Sequence, residues 1–299
     1  MSNKIPVVSV IMACYNSSKF MDEAIASVLN QSFRDFEFVI VDDCSSDNSL
    51  EIAQKYQEID ERVMVISLPK NSGAAAARNA AIQKSKGNLI GVFDSDDICK
   101  PYRLQMQFDF MKRNPQVALV SGALEYIDDA GVVLGRTYPV TRSDKIRNKM
   151  LKGGNIIVNP AVMMRREAFS CCGGYCEALP PMEDHHLWVK YLRSGYHLSI
   201  LPQVMISYRL NDSAISGWGK SDEQMRLFEQ ILEYDNPPQD LLDLYHQEVE
   251  RGKTMIGSHT QRVALIQNTL HYRISRLAKR LRMESVIERI LCIFHNWLT

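Results

Sequence analysis

Short apolar runs rich in β-branched residues recur through the first 125 residues, at 7–13 (VVSVIMA), 37–41 (EFVIV), 63–68 (VMVISL) and 89–93 (LIGVF). Runs of this length with polar flanks predict buried strands. Between them the apolar positions change to helical spacing. Phe20, Ala24, Val28 and Leu29 share one face of 19–31, a second helical segment covers 48–60, and four consecutive alanines with Arg78 favour helix over 74–86. Strand and helix therefore alternate, which predicts βαβ units around a parallel sheet. Pro101 opens a further helix, and 117–124 supplies another strand. Ligands of such sheets lie at the carboxyl ends of the strands, so chemistry is sought first in the residues that follow each run.

From 126 to 221 the pattern is less regular. Gly131, Gly153, Gly154, Gly173 and Gly174 mark turns between apolar runs at 155–164 and 198–208. This part is expected to be a mixed portion packed on the same sheet. A helix opens at Glu183, with Leu187, Trp188, Tyr191 and Leu192 on its apolar face. Pro237 and Pro238 interrupt any helix around them and mark a boundary. Ile266, Leu270, Ile274, Leu277 and Leu281 then form a helical apolar stripe, with Arg273, Arg276, Lys279, Arg280 and Arg282 beside it. No internal repeat or low-complexity tract is evident.

Composition adds little until charge is placed along the chain. The 299 residues carry 35 Lys and Arg against 35 Asp and Glu, a balance that argues against nucleic acid as a partner. The sum conceals segregation: residues 1–221 hold 25 basic and 24 acidic groups, 222–250 hold 1 and 9, and 251–299 hold 9 and 2. Seven cysteines lack the spacing of a secreted disulfide framework, so a reducing compartment is expected. Cys171, Cys172 and Cys176 have no second CxxC pair to complete a zinc site. The N-terminal apolar run is too short for a signal peptide, and no 18 consecutive apolar residues occur.

Three sets of residues are candidates for chemistry. After the first strand comes Tyr15, a flat ring that either stacks on a base or closes the core edge. After the second come Asp42 and Asp43, which either accept hydrogen bonds from a ligand or cap a helix, a task for which Asp47 competes. Neither turn carries GxGxxG, and no GxxxxGK[ST] occurs anywhere, which argues against dinucleotide and P-loop sites. After the fourth strand, Asp94, Ser95, Asp96 and Asp97 crowd three carboxylates into four residues. They either hold a hard cation such as Mg²⁺ or Mn²⁺ or form a solvated turn capping the next helix. The third set is Glu183, Asp184, His185 and His186, where one group serves as general base or the acids cap the helix. HExxH is not matched, and adjacent histidines point apart.

The segments VSVIMACYN, FMDEAIASVLNQSFRDFEFVIVDDCSSDNS, NSGAAAARNAAIQKSKGNLIGVFDSDDICKP, MEDHHLWVKY and YRLNDSAIS occur in that order over about residues 6–217. Together they resemble the inverting family 2 glycosyltransferases. The resemblance implies an α/β, A-type glycosyltransferase fold: a Rossmann-like, mostly parallel sheet flanked by helices. Residues 1–221 would be catalytic, divided into a nucleotide-sugar half at 1–125 and an acceptor side at 126–221, with a helical extension at 222–299. It further implies that Tyr15 and Asp43 hold the base, with Asp42 in support, and that Arg78 binds nucleotide. Asp94, nearer the ribose, and Asp96, the metal ligand, would form the DxD motif with Ser95 between them and Asp97 beside them. Asp184 would be the base, with Glu183 and His185 near it, and Arg209 would close over the diphosphate. Asn211 stands where the family often has histidine, and Ala13 where a small hydroxylated residue is common.

The implied reaction moves a sugar from a nucleotide diphosphate, uridine being expected from the resemblance, to a saccharide or lipid-linked saccharide of a bacterial cell surface, with Mn²⁺ or Mg²⁺. Two other readings compete. A nucleotidyltransferase would need a Gly-rich loop near residues 11–19, which read IMACYNSSK; a non-catalytic nucleotide-sugar-binding protein would have no use for both the DxD and the Glu-Asp pair. The protein is expected in the cytoplasm, with 251–299 either lying on the inner face of the membrane or packing on the catalytic part or a second copy.

Overall fold

In the computed structural model, residues 5–210, 222–234 and 236–255 are described. The chain begins with three βα units: β1 (Val8–Cys14), α1 (Ser18–Leu29), β2 (Phe36–Asp42), α2 (Ser49–Ile59), β3 (Val63–Ser67) and α3 (Ala74–Lys84). There follow β4 (Leu89–Asp94), the two-residue β5 (Ile98–Cys99), α4 (Arg103–Arg113), β6 (Val117–Ile127) and β7 (Val133–Arg136). The remainder comprises α5 (Ser143–Leu151), β8 (Met163–Arg165), α6 (Arg166–Cys171), α7 (Glu183–Arg193), β9 (His197–Arg209), α8 (Asp222–Ile231) and α9 (Gln239–Met255). The strands expected at 7–13, 37–41, 63–68, 89–93 and 117–124 and the helices expected at 19–31, 48–60 and 74–86 lie within a few residues of these elements.

Among the described residues the strands form one nine-stranded sheet in the order β3-β2-β1-β4-β8-β6-β9-β5, with β7 paired to β6. β3, β2, β1 and β4 are mutually parallel, β8 is antiparallel to both β4 and β6, and β6 and β9 are parallel. The fold is therefore α/β with a mixed, mostly parallel sheet, and residues beyond 126 extend that sheet. The apolar run at 155–164 differs from a simple strand: a 3₁₀ turn at Asn159–Ala161 precedes β8.

Strand periodicity explains the two cores. Val8, Val10 and Met12 of β1 and Phe36, Phe38 and Ile40 of β2 face Met21, Ile25 and Val28 of α1 and Leu104 of α4. Ile11, Val39 and Val41 face the other way, toward Ala77, Ala81 and Ile82 of α3 and Trp188 and Tyr191 of α7. Alternate residues point to opposite faces, so strands covered on both sides are apolar throughout. The alanines of α3 let that helix lie close on the sheet.

A third cluster joins Leu179, Met182 and Val189 to Leu227, Phe228 and Ile231 of α8 and Leu242, Tyr245 and Val249 of α9. Pro237 and Pro238 separate these two helices, and α8 and α9 both brace α7. The basic stripe at 266–282, with the partner expectations placed on it, lies outside the described residues, as does Asn211. No helix among the described residues is long and apolar enough to cross a membrane.

Candidate active site

Sheet register brings the first two candidate sets to one edge. Ala13 pairs with Val41 of β2 on one side and with Asp94 of β4 on the other, and Cys14 pairs with Asp42. The turns after β1, β2 and β4 therefore leave the sheet side by side, where the strand order reverses direction. Two non-glycine residues there hold left-handed backbone, Asn16 (φ 48°) and Cys44 (φ 62°). Asn16 is held by its partners: its Oδ1 accepts from the Ser46 amide at 2.8 Å, and its own amide donates to Ser45 Oγ at 3.0 Å.

Tyr15 is half exposed at this edge. Asp42 is buried, and its Oδ2 accepts from the Ser45 amide at 3.1 Å. Asp43 reaches across to the start of α3, where its two oxygens accept from the amides of Ser72 (2.7 Å) and Gly73 (2.8 Å). Gly73 has φ 89°, a conformation that a side chain would strain. Each Asp43 oxygen keeps a further lone pair. Asp47 takes the capping task, accepting from the amides of Ser18 and Ser49 at 3.0 Å each. Burial would raise its carboxyl, but the hydrogen bonds from Ser49 and Ser18 outweigh burial and hold it down at about 2.

Arg78 of α3 joins the second and third sets. Its Nη2 donates to Asp94 at 3.0 Å and its Nη1 to Glu183 at 2.9 Å, across the ring of Tyr175. Burial disfavours the cation, yet Asp94 and Glu183 more than compensate and keep it firmly protonated. Nε of Arg78 and Oε2 of Glu183 are buried without a protein hydrogen-bond partner.

Ser95 donates to Ser17 at 2.7 Å. Asp97 is buried; its Oδ1 accepts from the Arg209 amide at 2.9 Å, and burial followed by the charges of Asp96 and Asp94 pushes its carboxyl up. At the start of α4 the N-cap residue Tyr102 makes no side-chain cap bond and the Leu104 amide donates to Gln31 Oε1 at 3.0 Å, so the acidic turn does not serve as the cap. Among the described residues no three or more His, Cys, Asp or Glu side chains converge as a cage. A lone carboxylate or a pair on a strand-end loop still fits Mg²⁺ or Mn²⁺, which completes its shell with substrate phosphate and water. The unpartnered Oδ2 of buried Asp97 is consistent with that chemistry.

Asp184 lies in the first turn of α7, half-buried. Its Oδ1 accepts from the His185 amide at 2.6 Å, and the Asn155 amide group lies 3.3 and 3.4 Å from its two oxygens. Burial and then the neighbouring Glu183 charge push its carboxyl up to about 7. His185 is fully buried, its Nε2 3.0 Å from the Met150 carbonyl oxygen and its ring against Phe228, so it holds α5, α7 and α8 together.

Arg209, expected to close over the diphosphate, is engaged by protein partners. It is 2 % exposed, and its guanidinium lies beneath the acidic loop. Its Nε donates to the Asp96 carbonyl oxygen at 2.9 Å, its Nη1 to those of Asp128 (2.9 Å) and Asp129 (3.0 Å), and its Nη2 to Glu23. A diphosphate would have to displace these partners to be gripped directly. Asn155 and Glu23 were missed at the sequence level. Glu23 lies in the segment that begins FMDEAIAS but, like Asn155, carries no chemical signature of its own there, and the two acquire their partners across 186 and 29 residues respectively.

The glycosyl transferase family 2 model matches residues 9–173, which ends before Asp184. An uncharacterised glycosyltransferase of Methanocaldococcus jannaschii is 32% identical over 207 residues, covering 69% of this chain and 71% of the relative. The O-antigen biosynthesis glycosyltransferase WbnJ of Escherichia coli is 30% identical over 216 residues, covering 70% and 82%. Among solved structures, Staphylococcus aureus TarS 1–349 in complex with UDP-GlcNAc superposes with a TM-score of 0.61 at 22% identity, covering 83% of this chain and 73% of that one. The Pyrobaculum calidifontis mannosyltransferase PcManGT in complex with GDP-Man and Mn²⁺ gives 0.60 at 17% identity, covering 95% and 86%.

Proposed function

The chain belongs to glycosyl transferase family 2, and from that premise we propose that it is an inverting enzyme. It moves a sugar from a nucleotide diphosphate, UDP in our reading, to a hydroxyl of a saccharide or lipid-linked saccharide in cell-surface polysaccharide synthesis. The observation that carries this is Asp184, a half-buried carboxylate raised to about 7 and tied through Glu183 and Arg78 to the acidic loop of β4. The O-antigen role named for WbnJ supports the acceptor class. UDP-GlcNAc in the TarS complex supports the base, although PcManGT, bound to GDP-Man, shares the fold.

The donor base stacks on Tyr15, and Asp43, steadied by Asp42 and the start of α3, accepts from a base N–H. Asp94 accepts from the ribose, while Arg78 keeps it charged and oriented. Asp96 would hold Mn²⁺ or Mg²⁺, and that ion would supply charge neutralisation to the departing diphosphate. The acceptor oxygen attacks the anomeric carbon as Asp184 takes its proton. The new carbon–oxygen bond forms, the bond to phosphate breaks on the opposite face, and the nucleoside diphosphate leaves with the electron pair. Asn155 and the His185 amide fix the carboxylate for that transfer, and no second protein acid is required.

The test is release of nucleoside diphosphate from a panel of donors with Mn²⁺ and saccharide acceptors. Asp184→Asn is expected to lose transfer by about 10²–10⁴-fold while binding UDP as the wild type does. Near wild-type transfer by that variant would overturn the base assignment.

A further inference from the structure

The geometry points to Arg209 as the positioning residue of the metal-bearing loop rather than a direct grip on the donor diphosphate; the inference rests on the nucleotide and metal reading proposed above. Three stretches of chain far apart in sequence meet at this one guanidinium. It stacks 4.2 Å above the Phe20 ring of α1 and pairs with Glu23 one turn later. It spans the Asp128 and Asp129 carbonyl oxygens in the turn between β6 and β7. It then holds the acidic loop at two successive residues, through Nε to the Asp96 carbonyl oxygen and through its own amide to Asp97 Oδ1.

Backbone and side chain of Arg209 thus fix the peptide that carries the Asp96 carboxylate from behind, while that carboxylate belongs to a half-buried residue. A planar fork with donors in fixed directions suits this task, and a flexible ammonium does not. Partners that orient a ligating residue commonly change metal affinity by 10–100-fold when lost. A phosphate, by contrast, also accepts lysine as a point charge, and any loss from a direct grip would appear with and without metal alike. The two roles therefore respond differently to Arg209→Lys.

The experiment is calorimetric titration of UDP into the full-length protein, once with MnCl₂ and once with EDTA, for wild type and Arg209→Lys. Manganese is expected to tighten UDP binding to the wild type. In Arg209→Lys the affinity in EDTA should stay within about twofold of wild type, while the manganese enhancement falls by about tenfold or more. An equal loss with and without metal, or no loss in either, overturns the positioning role. Near-UV circular dichroism checks folding. Should Arg209→Lys fail to fold, Glu23→Gln, on the exposed end of the same network, decides instead: a selective loss of the manganese effect supports the role and an unchanged effect overturns it. Wild type that binds UDP equally with and without manganese would instead refute the metal reading itself.

Discussion

Arg78 and Glu183, 105 residues apart in sequence, are joined by a buried ion pair at 2.9 Å, and the other arm of the same guanidinium holds Asp94 at 3.0 Å. One cation thereby links the helix that carries Asp184 to the strand that carries the acidic loop. Breaking a buried pair from one side strands the remaining charges, a loss of about 3–5 kcal/mol. Arg78→Leu is expected to lower the unfolding free energy by about that amount in urea titrations. Adding Glu183→Leu should recover part of it, whereas strictly additive losses would refute the coupling.

The raised carboxyl of Asp184 sets an acid limb on activity. As a base it works only when ionised, so kcat/KM should fall about tenfold per pH unit below about 7. Glu183→Gln removes the second cause of the rise, the neighbouring charge, and should move the limb to lower pH. A limb that stays in place would show that Glu183 does not bear on Asp184.

Stability should respond to the same group with the opposite sign. Asp184 holds its proton in the folded state up to about pH 7 and releases it in the unfolded chain near pH 4. Between those values the folded state binds more protons, so the contribution of this group to stability is lost as pH rises. Asp184→Asn should flatten that slope, measured by urea unfolding at a series of pH values. An unaltered slope would place the titration elsewhere.

Chelation and loss of the Asp96 carboxylate are expected to remove the same contribution. EDTA and Asp96→Asn should each abolish the manganese enhancement of UDP affinity, and the two together should do no more than either alone. A residual enhancement in Asp96→Asn would assign the metal to another residue of the loop.

Three glycines rank by what an added Cβ would meet. At Gly87 it would lie 2.7 Å from the Ser9 backbone nitrogen and 2.8 Å from the Val8 carbonyl carbon, atoms of β1 that cannot retreat. Gly87→Ala should cost about 1–3 kcal/mol. At Gly122 the closest atom, at 2.2 Å, is Cγ at the base of the fully buried Met205 side chain, with the Gln203 carbonyl oxygen at 3.1 Å, so a loss at least as large is expected. At Gly91 the nearest atom is the Leu104 Cδ2 at 3.6 Å, an ordinary contact, and alanine should fit. Thermal unfolding of the three variants tests the order.

Much of the α/β core was legible because its signals are local. The apolar runs ending near Ala13, Val41 and Phe93 had to be buried strands, and each left its chemistry, Tyr15, Asp43 and Asp94, in the next residue or two. Strands β5, β7 and β8 were not legible as such. They are two to four residues long, too short for a periodic pattern, and exist because longer neighbours offer free edges. The alternative reading of the acidic turn as a helix cap also needed the structure to dismiss it, since capping depends on where an amide points.

The sequence by itself determined the alternation of strand and helix, the acidic loop after β4 and the carboxylate pair opening α7, because periodicity and turn chemistry act over a few residues. Only the tertiary structure decided which distant groups those carboxylates meet. It paired Asp94 and Glu183 through Arg78, set Asn155 beside Asp184, and placed Arg209 beneath Asp96 with its donors already engaged. A charge buried by packing must find its partner in space, and sequence separations of 16 to 186 residues leave no local pattern from which that partner can be read.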